Sequence, residues 1–322
     1  MKPTRQQLGL DTALTDVSTA YIQSASNYIS GKIFPKVDVM LQAGRYKTYD
    51  KGDMLRVETK PRAPGTRLAQ GGYNTDWGNY FCDVAGLGVP ITDQALANEV
   101  EPTNLFNDGT LYLTQQNLMY RDLVTLNAFY KTGVWASDWS PTTKWGTAGA
   151  DPIVDLTAQI EVISGRTGMS SSEMTVTLSA DTWAKLKNHP VIVERVKAGG
   201  SNDNPARGLL NALAVLLEVK EVLVAKAVYN SAVEGAVASV SYIATANAAL
   251  ITYAPSAPSL LTPSAGYMFN WAGLEGIGSQ GTRMSRYWDE STKSYALEIE
   301  SAIQPNLVSV DCGVFLHGLY AT

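Results

Sequence analysis

The hydrophobic and polar positions between Thr175 and Lys197 change their spacing twice within one short segment. Val176–Leu178 follows Thr175, contains Thr177 and has the composition of a half-buried strand. Ser179 stands where a helix N-cap belongs, and the apolar residues after it recur at helical spacing. His189-Pro190 interrupts that helix, and a second amphipathic turn follows. The pattern predicts a strand, a capped helix, a break and a second helix.

Other helices are predicted where apolar residues recur at intervals of three and four. Asp151-Pro152 is a strong helix start, because aspartate caps a helix and proline suits its first position. Gly165 and Gly168 are predicted to close that helix. The remaining predicted helices are Asp16–Ile29, a short capped piece over Thr92–Asn98, one long helix over Thr103–Lys131, and Ala206–Val215.

Alternating residues punctuated by proline and glycine predict extended structure between Val37 and Asn79. Strands are predicted over Arg45–Tyr49 and Leu55–Thr59, with a turn at Lys51-Gly52 between them. This region has too little apolar material for a core of its own. Residues 41–80 are therefore expected to form a long two-stranded loop that reaches away from the domain.

The second half of the chain is predicted to contain several strands. They are Val222–Tyr229, Ser241–Tyr253, Tyr287–Ser301 and Leu307–Gly318, the last two joined by a turn at Gln304–Asn306.

Composition indicates a protein that buries surface in an assembly. Charged residues make up 17% of 322 residues, below the usual quarter. No apolar run is long enough to span a bilayer, and no apolar stretch follows the N-terminal charges, so neither membrane insertion nor a secretory signal is expected. Cys82 and Cys312 cannot form a disulfide framework, and a reducing cytoplasm is expected.

Charge is divided unevenly along the chain. Residues 1–80 carry a balance of +4 and the rest a balance of −9. Two interpretations remain open: a solvated basic extension, or a positive arm that lies on the negative body of a neighbouring copy. Nucleic-acid binding requires a denser basic patch and is not expected.

The segment from Thr175 to Lys197 closely resembles one in the major capsid proteins of tailed bacteriophages, where it joins the two central domains of the shell protein. Phe34-Pro35 and Arg62–Gly65 match that family's arm and extended loop, and the order of predicted elements agrees with it. The resemblance implies an α+β fold of the Hong Kong 97 type. It divides the chain into an N-terminal arm (1–40), an extended loop (41–90), a peripheral domain with a long spine helix (91–175 and 265–322) and an apical domain (176–264).

The resemblance also implies a function, that of a major capsid protein that assembles into the icosahedral shell around phage DNA. Its partners would be further copies in pentamers and hexamers, a portal, a decoration protein, and a separate scaffolding protein, because the chain starts almost directly at the arm. It would contact packaged DNA only indirectly, contact no membrane, and lie in the virion after assembly in the host cytoplasm. The candidate intersubunit contacts are Arg45, Lys47, Arg56, Arg62, Arg67, Tyr73 and Trp77.

Two alternatives remain open. A cellular nanocompartment shell of the same fold would account for the same residues. A β-rich carbohydrate-binding protein or enzyme would account for the tryptophans and tyrosines, but it requires a carboxylate pair, and none is convincing.

The sequence offers little chemistry to support an enzyme. Gly276–Gly281 satisfies the spacing of a dinucleotide-binding loop, but a proline-rich stretch precedes it and a poor helix start follows, so a turn in a β region is expected. His189 and His317 lie at no metal-ligand spacing from cysteine or carboxylate, and no Gly-x-Ser-x-Gly elbow is present. We therefore predict no catalytic residue, cofactor or metal, and structural roles for both histidines.

Overall fold

The computed structural model describes residues 23–99, 104–198, 205–256, 262–274, 276–277 and 281–321. Within these ranges, the α-helices are α1 (Ser30–Ile33), α2 (Lys51–Met54), α3 (Asp93–Ala97), α4 (Leu105–Phe129), α5 (Pro152–Thr167), α6 (Ala180–Leu186), α7 (Pro190–Ala198) and α8 (Pro205–Leu216). Short 3-10 turns occur at Ala25–Asn27, Ser171–Glu173 and Val310–Cys312.

The strands of the described chain are β1 (Lys36–Val39), β2 (Ala43–Tyr49), β3 (Thr75–Phe81), β4 (Val84–Thr92), β5 (Asp138–Trp139), β6 (Met174–Ser179), β7 (Glu221–Ala225), β8 (Val228–Asn230), β9 (Val240–Tyr242), β10 (Ala248–Tyr253), β11 (Gly266–Trp271), β12 (Thr282–Asp289), β13 (Ser294–Leu307) and β14 (Gly313–His317).

Two five-stranded sheets form the body. In the first, β13 pairs with β11, β12 and β4, and β1 lies parallel to β11. The second has the order β5-β14-β10-β6-β7. Its central strands β6 and β10 are buried along their whole length, because helices cover the sheet. Two smaller ladders, β2 with β3 and β8 with β9, share no strand pairing with these sheets.

The long helix α4 connects two hydrophobic cores. Leu113, in its first half, packs with Leu297 and Ile299 of β13 in a small cluster. Leu126 and Phe129, in its second half, belong to the main core around the second sheet. The predicted long helix over Thr103–Lys131 is thus present from Leu105, and residue 103 lies outside the described ranges.

Local capping explains where several helices begin and end. The Asp151 carboxylate accepts hydrogen bonds from the amides of Ile153 and Val154, and Gly168 ends α5 in the left-handed conformation. Gly165 lies inside that helix and does not close it. The predicted strand, helix, break and helix between Thr175 and Lys197 correspond to β6, α6 and α7, with Pro190 opening α7.

Several predicted elements differ from the structure. Leu55–Thr59 forms no strand, and α2 replaces the turn at Lys51-Gly52. The single strands predicted over Val222–Tyr229 and Ser241–Tyr253 are each divided between the second sheet and the β8–β9 ladder, because the chain leaves the sheet at both places. No turn occurs at Gln304–Asn306, which β13 crosses without interruption.

The predicted helix over Asp16–Ile29 falls largely outside the described residues. Its described part contains the 3-10 turn Ala25–Asn27. The domain boundaries remain predictions. The closing strand β14 lies in the second sheet beside β10, although its residues were assigned to the peripheral domain. No helix of the described ranges is long and apolar enough to cross a membrane.

Candidate intersubunit surface

The extended loop, residues 41–90, begins as an antiparallel hairpin. β2 pairs with β3 in continuous register from Ala43 opposite Phe81 to Tyr49 opposite Thr75. Between these strands, α2 is followed by irregular chain from residue 55 to 74, and every residue from 59 to 74 is exposed. The prediction of a long two-stranded loop is correct for the base of the loop, whereas its distal part is not strand.

Reciprocal glycine–tyrosine pairs fix the base of the loop. Gly44 lies opposite Tyr80, and Gly78 lies opposite Tyr46. Each tyrosine ring covers the glycine across the ladder so closely that a Cβ on Gly44 would be 2.4 Å from the Tyr80 hydroxyl oxygen. Both rings also pack on Phe269 of β11. The glycines therefore allow the hairpin to lie against the first sheet.

Exposed apolar side chains are concentrated on this loop. It contains less than a fifth of the described residues, but ten of the twenty-four large apolar or aromatic side chains that are exposed in them. Eight lie before β4 and two, Val84 and Leu87, lie on β4, where the chain has returned to the first sheet. The eight are Leu41, Met54, Leu55, Val57, Leu68, Tyr73, Trp77 and Phe81. Soluble monomers rarely leave so much apolar surface uncovered, and such a surface marks an interaction site.

Every predicted contact residue is exposed on the loop, in one of two groups. Arg45, Lys47 and Trp77 lie on the hairpin, where the Lys47 ammonium is 5.5 Å from the centroid of the Trp77 ring. The other residues lie on the distal part: Arg56, Arg62, Arg67 and Tyr73. The structure thus leaves these side chains accessible to a partner but does not bring them together at one point.

Ion pairs hold the junction between hairpin and distal part. The Lys51 ammonium is 2.5 Å from a carboxylate oxygen of Asp311, which ties α2 to the body of the protein. The Arg56 guanidinium lies 3.7 Å from Asp53 and 3.8 Å from Glu58 within the loop. These exposed pairs orient the loop more than they stabilise it, since water screens them.

A buried carboxylate on α4, Asp122, holds the described end of the arm, and the sequence patterns did not identify it. The Asp122 carboxylate is fully buried and accepts hydrogen bonds from the amides of Ile29 and Ser30, the latter at 2.8 Å. Burial raises the pKa of this carboxyl, although the hydrogen bonds from Ser30 and Ile29 oppose that rise. The polarity of this helix is visible in the sequence, but polarity alone does not distinguish a residue that water solvates from one that binds buried amides.

The groups considered for catalytic or cofactor chemistry have ordinary structural surroundings. His189 lies between α6 and α7, and the His317 ring stacks on Phe315 at 6.5 Å. No cluster of possible metal ligands occurs among the described residues. After Gly281 the chain forms β12 and not a helix, as expected for a turn in a β region; residues 278–280 lie outside the described ranges.

Comparison with known proteins gives one curated relative and many structural neighbours. No family model matches the chain. The major capsid protein of Burkholderia phage BcepMu is 24% identical over 229 residues, which cover 68% of this chain and 70% of that protein. A phage-related protein from Bordetella bronchiseptica RB50 has a TM-score of 0.66 at 20% identity, covering 92% of this chain and 94% of its own. The capsid of cyanophage P-SCSP1u has a TM-score of 0.63 at 12% identity, covering 95% and 91%.

The chain has the Hong Kong 97-type capsid fold. This confirms the predicted α+β fold and the resemblance to major capsid proteins of tailed phages. The general function predicted from it, a shell-forming capsid protein, is confirmed by the same relatives. These relatives are structural proteins of capsids, which favours a protein of the virion without enzymatic activity. The fold also occurs in an encapsulin of Synechococcus elongatus, at a TM-score of 0.52 and 8% identity over 97% of this chain and 98% of the encapsulin.

Proposed function

We propose that copies of this chain assemble as pentamers and hexamers into an icosahedral shell that encloses phage DNA. The observation that carries the proposal is the concentration of exposed apolar side chains on residues 41–90, which a neighbouring copy would cover. An apolar surface on a projecting element suits contact between copies, because burial of that surface stabilises association in proportion to its area.

The loop also carries the basic charge that the body lacks. Its distal part, residues 55–74, holds four basic side chains and one acidic side chain, whereas the chain as a whole has a net charge of −5. Opposite potentials on the loop and the body would favour the contact of one copy's loop with another copy's body and disfavour loop–loop contact. This supports Arg45, Lys47, Arg56, Arg62 and Arg67 as intersubunit contacts, and the exposed rings of Tyr73 and Trp77 supply apolar area for the same contact.

A phage shell is preferred to a nanocompartment because the relative found by sequence is a phage protein, whereas the likeness to the encapsulin lies in the fold. We further propose assembly in the host cytoplasm with a separate scaffolding protein, a portal and a decoration protein as partners. Genes for a portal and a terminase next to this one would support the phage assignment. A neighbouring gene for an enzyme cargo would contradict it.

Electron microscopy of the purified protein tests the proposal. Closed shells are expected, and a monomer or small oligomer under all assembly conditions would overturn it. A variant in which a short Gly-Ser linker replaces residues 50–74 keeps the paired strands β2 and β3. This variant should remain folded, with a melting temperature close to that of the parent, but should fail to form shells. Normal shells from it would show that the distal part of the loop is dispensable.

A further inference from the structure

We propose that the open edge of β4 pairs with residues 55–59 of a second copy, so that the first sheet continues across the subunit boundary. The inference rests on the proposed function, because it names the surface by which shell-forming copies would meet. Two features of the isolated chain support it. One strand edge is uncharged and has no neighbouring strand, and one segment has a strand-like sequence but forms no strand.

The open edge belongs to a strand that lacks the usual protection. β4 pairs with β13 on one side, and no described strand lies on its other side. Its nine residues, Val84–Thr92, include no charged side chain. Edge strands usually carry charges that prevent pairing with other chains. β12, on the other side of β13, has such charges in Arg283, Arg286 and Asp289.

Pro90 identifies the backbone groups that face the open side. It lies opposite Ala296 in an unbroken register, and proline has no N–H to donate. A proline fits such a ladder only with its nitrogen on the unpaired side. The backbone N–H and C=O groups of successive residues point alternately to the two sides of an antiparallel strand. Those of Val84, Gly86 and Gly88 therefore point to the same open side as the nitrogen of Pro90. These residues are exposed, so their N–H and C=O groups are available to an added strand.

The two faces beside this edge differ in chemistry. On the outer face, Glu298 and Glu300 lie against Gly88 and Gly86, where a Cβ would meet each glutamate's Cγ at 3.2 and 3.1 Å. Glu300 is paired with Arg283, while the Glu298 carboxylate accepts a hydrogen bond from a tyrosine hydroxyl and has no cation partner in the described chain.

The inner face of the edge is apolar. Leu87 lies on the same side of β4 as Val89 and Ile91, which face α4, and it is 42% exposed. An open groove of about 380 Å³ adjoins the edge between β4, α3 and α4. Its apolar and aromatic lining includes Val89, Ile91, Leu105 and Tyr112.

The segment Leu55–Thr59 matches both faces. Its apolar residues Leu55 and Val57 alternate with Arg56 and Glu58, and Val57 is 87% exposed in the isolated chain. An added strand that placed Leu55 and Val57 toward the groove would place Arg56 on the face of Glu298. The segment would therefore gain backbone hydrogen bonds and apolar contacts, while Arg56, paired with Asp53 and Glu58 in the isolated chain, would also face Glu298. The missing edge partner explains why the alternating sequence forms no strand alone.

Two substitutions of one residue test the backbone pairing. Gly88→Pro removes the N–H that faces the open side, while Gly88→Ala keeps the N–H and adds the same Cβ. The two variants should have similar melting temperatures, because both add a Cβ beside Glu298 and the ladder with β13 does not use the N–H of residue 88. We expect association of Gly88→Pro, followed by light scattering, to be about tenfold weaker than that of Gly88→Ala. Equal association of the two variants would overturn the proposal.

Hydrogen exchange and cross-linking identify the occupant. Amides of residues 84–88 should exchange rapidly in unassembled subunits and slowly in shells. A Val57→Cys chain mixed with a Leu87→Cys chain should give a disulfide-linked dimer on assembly, and mixing Val57→Cys with Val237→Cys gives the control. Protected edge amides without the 57–87 link would mean that another segment occupies the edge, which overturns the proposal. Absence of shells from the parent chain would instead contradict the proposed function.

Discussion

The ring of Tyr80 stacks on that of Phe269, with centroids 4.6 Å apart and 17° between the planes. Tyr80 belongs to the extended loop and Phe269 to the first sheet, so the stack fixes the base of the loop to the body. The fit depends on Gly44, because the Tyr80 ring occupies the space that a Cβ at this position would take. The loop thus has a fixed base, beyond which the distal part, residues 55–74, is irregular and largely exposed.

We predict that Gly44→Ala reduces shell assembly by moving the Tyr80 ring away from Phe269. The change should redirect the loop with a small effect on the melting temperature, because this hairpin lies outside both hydrophobic cores. Gly72→Ala is the matched control, since no atom lies within 4 Å of the added Cβ. Light scattering during assembly provides the measurement. If both variants assemble equally well, the orientation of the loop does not depend on this contact.

Asp122→Ala should destabilise the folded chain, because it leaves the buried amides of Ile29 and Ser30 without their acceptor. Each unsatisfied group costs about 1–3 kcal/mol in the free energy of unfolding. Glu161→Ala, on the exposed side of α5, is the control and should change that free energy by less than about 0.5 kcal/mol. Urea denaturation of unassembled subunits measures both. If Asp122→Ala lowered the free energy of unfolding no more than Glu161→Ala does, Asp122 would not anchor the arm.

The pH dependence of this site has a definite sign. Burial raises the pKa of Asp122 in the folded chain, so the folded state holds this proton more tightly than the unfolded state. Its contribution to stability is then greatest below the unfolded pKa of about 3.9 and decreases as pH rises through the folded pKa. Asp122→Asn removes this titration. The free energy of unfolding of the parent, relative to Asp122→Asn, should therefore fall as pH rises above about 4.

Sequence patterns predicted elements whose causes are local. Asp151 and Gly168 mark the ends of α5 through a cap and a left-handed turn, and both contacts lie within a few residues. The strand predicted over Leu55–Thr59 is absent, because alternating apolar and polar residues suit a strand but do not supply the neighbouring strand it must pair with. Pro305 was interpreted as a turn, yet it lies in β13 opposite Met268, beyond the stretches of β13 that pair with β12 and β4. Proline is tolerated where one side of a strand is unpaired.

The candidate intersubunit surface was predictable only where its signal is local in the sequence. Basic and aromatic residues on the loop could be identified from composition, since exposure follows from the lack of a core. The role of Asp122 could not, because a polar residue on a helix has the same sequence signature whether water or two buried amides satisfy it. The open edge of β4 also depends on pairing between strands that are distant in sequence.

Reversal of charge on the distal loop should affect assembly more than folding. Arg56, Arg62 and Arg67 are exposed, so their change to glutamate should lower the melting temperature little. Assembly of this triple variant should be slower, and assembly of the parent should weaken as salt rises, because screening acts over about 8–10 Å at physiological ionic strength. Lys220→Glu, exposed on the body, is the control. Equal losses in assembly rate and melting temperature would point to a role in folding.

Both cysteines should resist modification in the folded protein. Burial raises the pKa of Cys82 and of Cys312 to about 11, and neither thiol is exposed. Iodoacetamide at pH 8 should therefore alkylate the native chain far more slowly than the urea-unfolded chain. Since the folded state retains these protons to higher pH, the stability they contribute is complete below the unfolded pKa of about 8.5 and is lost as pH rises toward about 11. Rapid alkylation of native subunits would contradict this.

Trp183 and His189 lie on either side of the end of α6 and should behave differently. Trp183 belongs to the main core, and its replacement by alanine should cost about 3–5 kcal/mol in the free energy of unfolding. His189→Ala should leave shells intact with a modest change in stability, because this residue serves the break before α7 and belongs to no group of metal ligands in the described chain. Electron microscopy and denaturation separate the two effects. If His189→Ala abolished a hydrolytic or binding activity while the fold survived, the interpretation of this module as purely structural would be wrong, and with it the view that the chain acts through assembly alone.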